Sequence, residues 1–168
     1  MKPNVATEVL SDDKVLLKKL TLADAAFFYS LYCRPGLAEP VGESPFLPNE
    51  TPVQFTGRII SLCAYSWTIR PVRQPDLLIG DCALHHWNRD THEIEIGGSL
   101  LPGYRGQGFM QAAFGLIIPV AGEALGVKTV LGSTNTGNLS AIRLVEKMGF
   151  VKSFAGADQT ILRKVVGA

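Results

Sequence analysis

Apolar and polar positions follow one another along this chain with a period that changes from block to block, and those changes outline the elements. Residues 14–20, KVLLKKL, predict a first strand. Thr21 then caps a helix reaching about Cys33, with Asp24 in the first turn, where a carboxylate favours the helix dipole; Pro35 and Gly36 end it. Pro35, Pro40, Pro45 and Pro48 make Arg34 to Glu50 an irregular loop, of a length that often carries function. A second helix is expected over 52–63, with Thr51 as its cap and Pro52 at the first position, where a missing N–H costs nothing. Strands at about 65–70, YSWTIR, and 76–85, DLLIGDCALH, flank the turn-prone PVRQP. In 92–101, HEIEIGGSLL, strict alternation puts Ile94, Ile96 and Leu100 on one face of a strand and Glu93, Glu95 and Ser99 on the other.

Residues 108–125 have the length and apolar spacing of a helix, with a kink expected at Pro119. A short strand follows at 127–131, VKTVL. The amphipathic segment 139–148, LSAIRLVEKM, predicts a last helix, with Asn138 at its N-cap and Gly149 placed to end it in the left-handed conformation. Strands near 150–154 and 160–166 close the chain. Strand, two helices, three strands, helix, strand, helix and two strands predict a single α/β domain over 1–168, mixed around one central sheet.

Composition narrows the function classes. The 168 residues carry 16 Lys plus Arg against 15 Asp plus Glu, and no basic run gathers them, which argues against a large nucleic-acid face. The apolar stretch from Ala112 to Gly122 is interrupted by Pro119 and too short for a membrane span, and the N-terminus lacks the apolar block of a secretory signal; a cytoplasmic location is expected, with no membrane partner. Cys33, Cys63 and Cys82 show no C-x-x-C spacing and read as small buried hydrophobes. Cys82, His85, His86 and His92 raise the question of a metal. A strand through His85 and His86 would point them to opposite faces, and no carboxylate at ligand spacing completes the set, so no metal is expected.

The richest segment for chemistry is LLPGYRGQGFMQAA, residues 100–113, which sets Gly103, Gly106 and Gly108 between a strand and a helix. Glycines let backbone N–H groups approach a phosphate, and a helix N-terminus adds donors and a favourable dipole; the same residues also suit a plain tight turn. A Walker loop fails because Phe109 and Met110 follow Gly108. A dinucleotide fingerprint meets Gln111 where a small residue belongs, and Lys128 where an acid should end the next strand.

Glu95, Ile96, Gly97, Leu100, Pro102, Tyr104, Gly106 and Gly108 fit E-I-G-x-x-L-x-P-x-(aromatic)-x-G-x-G. Asn138, Arg143, Leu144, Glu146, Lys147, Gly149 and Phe150 fit N-x-x-S-x-R-L-x-E-K-x-G-F. In that order, either side of one helix and strand, the two blocks resemble the GNAT acyl-CoA N-acyltransferases, and in particular their ribosomal-protein N-terminal acetyltransferase branch. Element order extends the likeness over about 14–166.

The resemblance implies a mostly antiparallel central sheet with a splayed parallel pair, flanked by helices, and acetyl-CoA as co-substrate without a metal. Leu100 and Leu101 would contact pantetheine, and the N–H groups of Arg105, Gly106, Gln107, Gly108, Phe109 and Met110 would take the pyrophosphate. Met110 stands where the signature usually has Gly or Ala. Asn138 would bond the pantetheine arm as well as capping its helix. A neutral amine would attack the thioester directly in a ternary complex. An α-amino group of pKa about 7.7–8.0 needs less help than a lysine at about 10.4. Glu95 is the candidate base, directly or through a water, or else a solvated carboxylate sharing its face with Glu93. The Leu100 N–H would hold the oxyanion.

Ala141 replaces the branch's usual Ser and Val145 the tyrosine acid of many members, leaving water or Tyr104 to protonate a thiolate that leaves tolerably at a pKa of about 8.5. Phe27, Phe28, Tyr29, Tyr32, Phe46 and Phe55 fall where the fold builds its acceptor pocket, or are core. The expected activity is N-acetylation of a primary amine, a protein N-terminus or a small molecule, by a monomer or homodimer. The alternatives are a non-catalytic acyl-CoA-binding module and, resting on Gly106 and Gly108 alone, a nicotinamide oxidoreductase.

Overall fold

In chain order the strands are β1 (Val9–Ser11), β2 (Val15–Lys19), β3 (Cys63–Pro71), β4 (Gly80–Asn88), β5 (Glu93–Leu100), β6 (Thr129–Asn135), β7 (Val151–Ala155) and β8 (Gln159–Val165). The helices are α1 (Ala25–Cys33), α2 (Pro52–Leu62), α3 (Phe109–Leu125) and α4 (Leu139–Lys147). The computed structural model describes residues 7–33 and 45–167, so the part of the expected loop at 34–44, with Pro35, Gly36 and Pro40, lies outside the described residues.

All eight strands join one sheet in the order β1-β2-β3-β4-β5-β6-β8-β7, antiparallel throughout except for β5 beside β6. This is the expected mixed architecture, with one strand the hydrophobic pattern did not announce: β1, three residues long, pairing with β2. Strand β4 begins at Gly80 rather than 76, because 76–79 are still turning out of the PVRQP loop, and it runs on to Asn88. Strand β6 extends to Asn135, four residues past the apolar stretch, because Gly132 to Asn135 pair with β8.

Local chemistry sets the ends. Thr51 Oγ1 accepts the Gln54 N–H (3.2 Å) and the Gln54 side chain accepts the Thr51 N–H (3.0 Å), a reciprocal cap that fixes where α2 starts. The Asp24 carboxylate accepts the Thr21 N–H, but the first turn there, Leu22–Asp24, is a 3-10 turn before α1. Helix α3 continues through Pro119 as one element. Gly149 takes φ of 92° after α4, the left-handed stop its position predicted.

The two faces of the sheet are covered differently. Helices α3 and α4 bury Ala113, Phe114, Ile117, Ile142 and Val145 with Ile94, Ile96 and Leu100 of β5. On the opposite face, α1 and α2 form a smaller aromatic cluster in which Phe28 and Phe55 are fully buried and Tyr29, Tyr32 and Phe46 pack around them. Phe55 stacks on Phe28 at 5.3 Å and meets Phe46 edge-on at 4.7 Å, so much of the expected acceptor wall is core that locks α1 to α2. The cysteines diverge from the expectation of burial. Cys82 is buried, Cys63 is half-buried, and Cys33 is exposed on the last turn of α1; none forms a disulfide.

Candidate active site

Strand β5 is where the sheet opens. It pairs with β6 only through Glu93, Ile94 and Glu95, opposite Thr129, Val130 and Leu131; among the described residues no further pair joins the two, although β5 runs on to Leu100 and β6 to Asn135. The parallel pair is therefore splayed, and the edge of β5 from Ile96 to Leu100 faces a wedge. Leu101 donates its N–H to Ile79 on the β4 side. Because successive N–H groups of a strand alternate in direction, the Leu100 N–H points into the wedge.

Beyond β5 the chain makes a single 3-10 turn at Pro102–Tyr104 and enters α3. Gly106 and Gly108 take φ of 74° and 85°, left-handed values that turn the loop over the helix N-terminus. Arg105 donates Nε to the Leu100 carbonyl (3.3 Å), and Gln107 donates Nε2 to the Gly103 carbonyl (2.8 Å), so both side chains brace the loop. The first intrahelical bond is from the Ala112 N–H to the Gly108 carbonyl, which leaves the preceding N–H groups of the first turn for a ligand. Phe109 packs against Tyr104 and carries Lys14 Nζ 4.9 Å over its ring. Lys14 Nζ also lies 3.6 Å from where a Cβ on Gly108 would sit. This cation at the loop was missed by sequence reasoning, and no local signal could have revealed it: β2 reaches α3 only through the folded sheet.

On the α1/α2 face, Asp81 of β4 is buried between strands. It accepts the Tyr32 hydroxyl at 3.2 Å and the Ser99 N–H. Burial pushes its carboxyl up to about 7, against the pull of those two donors. Tyr32 is raised as well, by burial and by Asp81, and the Cys63 thiol is pushed up to about 11. A signal existed in the sequence: an acid inside the apolar run LLIGDCAL. With its folded value above the unfolded one of about 3.9, Asp81 opposes folding as pH rises. Its contribution is absent below about pH 4, grows to about pH 7 and is level above, integrating to a few kcal/mol. Asp81→Asn, whose amide can donate to Tyr32 and accept from Ser99, should remove that slope. Urea midpoints at pH 5 and pH 8 check this: relative to the variant, the native midpoint should be lower at pH 8 than at pH 5.

The same face carries Glu95, 23% exposed, beside two histidines. The expectation that His85 and His86 point apart is corrected by the structure. Strand β4 pairs His85 with Glu95 and Asn88 with Glu93, so it holds an extra residue there, and His86 takes φ of 52°. That bulge turns the His86 ring back to the side of His85. His86 Nδ1 lies 2.5 Å and His85 Nδ1 3.5 Å from Glu95 Oε2, and the two Nδ1 atoms are 2.7 Å apart. The carboxylate missing from the local spacing thus comes from the neighbouring strand. His92 stays outside this cluster, and Cys82 lies in the core on the other face. Glu93 shares its face with Glu95, as expected, and lies 3.6 Å from Arg163 of β8 on that face.

Asn138 caps α4, its Oδ1 accepting the Ala141 N–H (3.3 Å) and its Nδ2 donating to Thr134 Oγ1 (3.1 Å). Val145 is buried in the core of that helix, and Leu100 buries its side chain while presenting its backbone to the wedge. Leu101 and Met110 are half-buried at the two ends of the loop. Met110 fills the space over Gly98, where a Cβ would come within 2.9 Å of its Cε.

Residues 14–151 match the family model described as an acetyltransferase (GNAT) domain. No protein of curated function matches the chain significantly. Among solved structures, an acetyltransferase of the GNAT family from Bacillus anthracis aligns with TM-score 0.76 at 15% identity, covering 94% of this chain and 98% of its own. The ribosomal-protein-S5-alanine acetyltransferase from Vibrio fischeri aligns with TM-score 0.74 at 18% identity, covering 94% and 96%. Spermidine N-acetyltransferase from Vibrio cholerae, in complex with CoA and spermine, aligns with TM-score 0.73 at 17% identity, covering 92% and 96%. At these identities the likeness is one of fold.

Proposed function

Since the chain belongs to the GNAT acetyltransferase family, we propose that it transfers the acetyl group of acetyl-CoA to a primary amine by direct attack in a ternary complex. One observation carries this reading: the glycine loop continues directly from the open edge of β5, so phosphate donors, the Leu100 N–H and Glu95 lie along one strand and its exit. The Arg105 N–H, expected among the phosphate donors, is engaged by the Pro102 carbonyl (3.3 Å), so the pyrophosphate fits the N–H groups of Gly106 to Met110, with Lys14 beside Gly108 adding positive charge. Pantetheine lies along the wedge past Leu100 and Leu101, and the spare hydrogen on Asn138 Nδ2 is available to its amides.

The thioester then has its carbonyl oxygen at the Leu100 N–H, a backbone donor fixed by the β4–β5 ladder. The amine enters from the α1/α2 face. Glu95 takes its proton as the nitrogen bonds to the acyl carbon, the tetrahedral intermediate collapses, and the C–S bond breaks. Ala141 carries no acid and Val145 is buried, so neither of the positions that usually hold one protonates the departing sulfur, and the thiolate leaves as such or takes a proton from water or Tyr104. The structural likeness to proteins named as a ribosomal-protein-S5-alanine acetyltransferase and a spermidine N-acetyltransferase supports an amine acceptor here.

Calorimetric titration with acetyl-CoA, with CoA and NADH as controls, followed by an amine panel at about pH 8, near the α-amine pKa, tests the proposal. Saturable binding with release of CoA is the expected result. Binding without release for any amine would favour an acyl-CoA-binding module, and binding of NADH alone would revive a nicotinamide site.

A further inference from the structure

The cluster of His85, His86 and Glu95 gathers three metal-ligating atoms more closely than one hydrogen bond requires. Three atoms with lone pairs, His85 Nδ1, His86 Nδ1 and Glu95 Oε2, converge at separations of 2.7, 2.5 and 3.5 Å. A single proton on His86 Nδ1 can serve Glu95 Oε2 and His85 Nδ1 only as a shared three-centre bond, and it leaves His85 Nδ1 and Glu95 Oε2 facing each other with lone pairs at 3.5 Å. If both rings carried the proton on Nδ1, two N–H groups would collide. One positive ion at the centre satisfies all three. The chain also adopts an unfavourable backbone to achieve this: His86 sits at φ of 52°, a left-handed value that costs a non-glycine residue roughly 1–2 kcal/mol.

We propose that His85, His86 and Glu95 form a site for a divalent transition-metal ion of the zinc class. Two imidazoles and one carboxylate suit such an ion, whereas magnesium and calcium favour oxygen ligands throughout. Bonds of about 2.0–2.1 Å in a tetrahedral shell set ligands about 3.3 Å apart, so the shorter edges must open by under about 1 Å. His86, 76% exposed in its side chain, has the freedom to do so. That exposure also leaves the fourth position to water. His85 is the firmer ligand: its ring lies over Gly97, where a Cβ would come within 2.9 Å of Nε2. The site exists independently of acetyl transfer, but its consequence rests on that reading: an ion bound to Glu95 Oε2 withdraws charge from the carboxylate that would take the amine's proton and weakens it as a base, so metal binding opposes catalysis.

The test uses the full chain without acetyl-CoA. Zinc is titrated by calorimetry, and cobalt by the visible absorption of a four-coordinate ion. One ion per chain is expected, with cobalt displaced by zinc and no binding of magnesium. His86→Ala and Glu95→Gln, checked for folding by circular dichroism, should each weaken zinc binding by about tenfold or more. Binding should also weaken from pH 7.5 to pH 5.5, as protons compete for the imidazoles. Absence of saturable binding, or affinity unchanged in both variants, overturns the site whether or not the chain acetylates amines. If both metal binding and acetyl transfer are found, zinc should inhibit the native enzyme, with chelator restoring its rate.

Discussion

Glu95→Gln is expected to lower the rate of acetyl transfer by roughly 10²–10⁴-fold below the amine's pKa, the range general-base catalysis supplies. The difference should narrow above that pKa, where the amine arrives already neutral. The substitution is close to isosteric, and the glutamine oxygen can still accept from His86, which now lies 2.5 Å from the carboxylate. Folding should therefore survive, and a loss of rate can be assigned to chemistry. The check is kcat/KM against pH for both proteins at saturating acetyl-CoA, in buffer treated with chelator so that metal bound to Glu95 does not enter the comparison. An identical profile in the two proteins would return Glu95 to a solvated carboxylate on the strand face.

Gly108→Val should weaken acetyl-CoA binding by about 100-fold or more, since it removes the close approach on which backbone recognition of a phosphate depends. Two effects act together. At φ of 85° a β-branched residue is strained, costing roughly 1–2 kcal/mol. Its Cβ would also stand 3.5 Å from Lys14 Cε and 3.6 Å from Lys14 Nζ, with its methyl groups filling the gap between loop and ammonium. The first effect lowers the melting temperature by several degrees without unfolding the protein; the second empties the site. Titration calorimetry beside a melting curve separates them, and a stable, folded variant with native affinity would remove the loop from the cofactor site.

Reading the chain alone gave α2, α3 and α4 to within a residue, and α1 except for its first turn, which is 3-10, because helix ends are bracketed by chemistry that acts locally: Thr51 with Gln54 at the start of α2, Asn138 and Gly149 around α4. Strand β5 was legible from simple alternation. What escaped was what depends on partners across the sheet. Three residues of β1 have no period to detect and exist because β2 offers an edge. The polar end of β6 looks like loop until β8 lies beside it. The bulge at His86 could not be read at all, since a left-handed histidine has no sequence signature, and with it went the meeting of His85, His86 and Glu95. Lys14 and Gly108 are far apart in sequence and adjacent in space for the same reason.

Only three residue pairs stitch β5 to β6, so the sheet is mechanically two plates, β1 to β5 and β6 to β8, hinged at Glu93 to Glu95 and backed by α3. An occupant of the open part of that seam touches both plates and becomes a rivet between them. Binding there is expected to slow hydrogen exchange in both plates, not only at the residues in contact. Glu95 is the last residue of that seam, so the carboxylate assigned to move the proton stands at the mouth of the wedge.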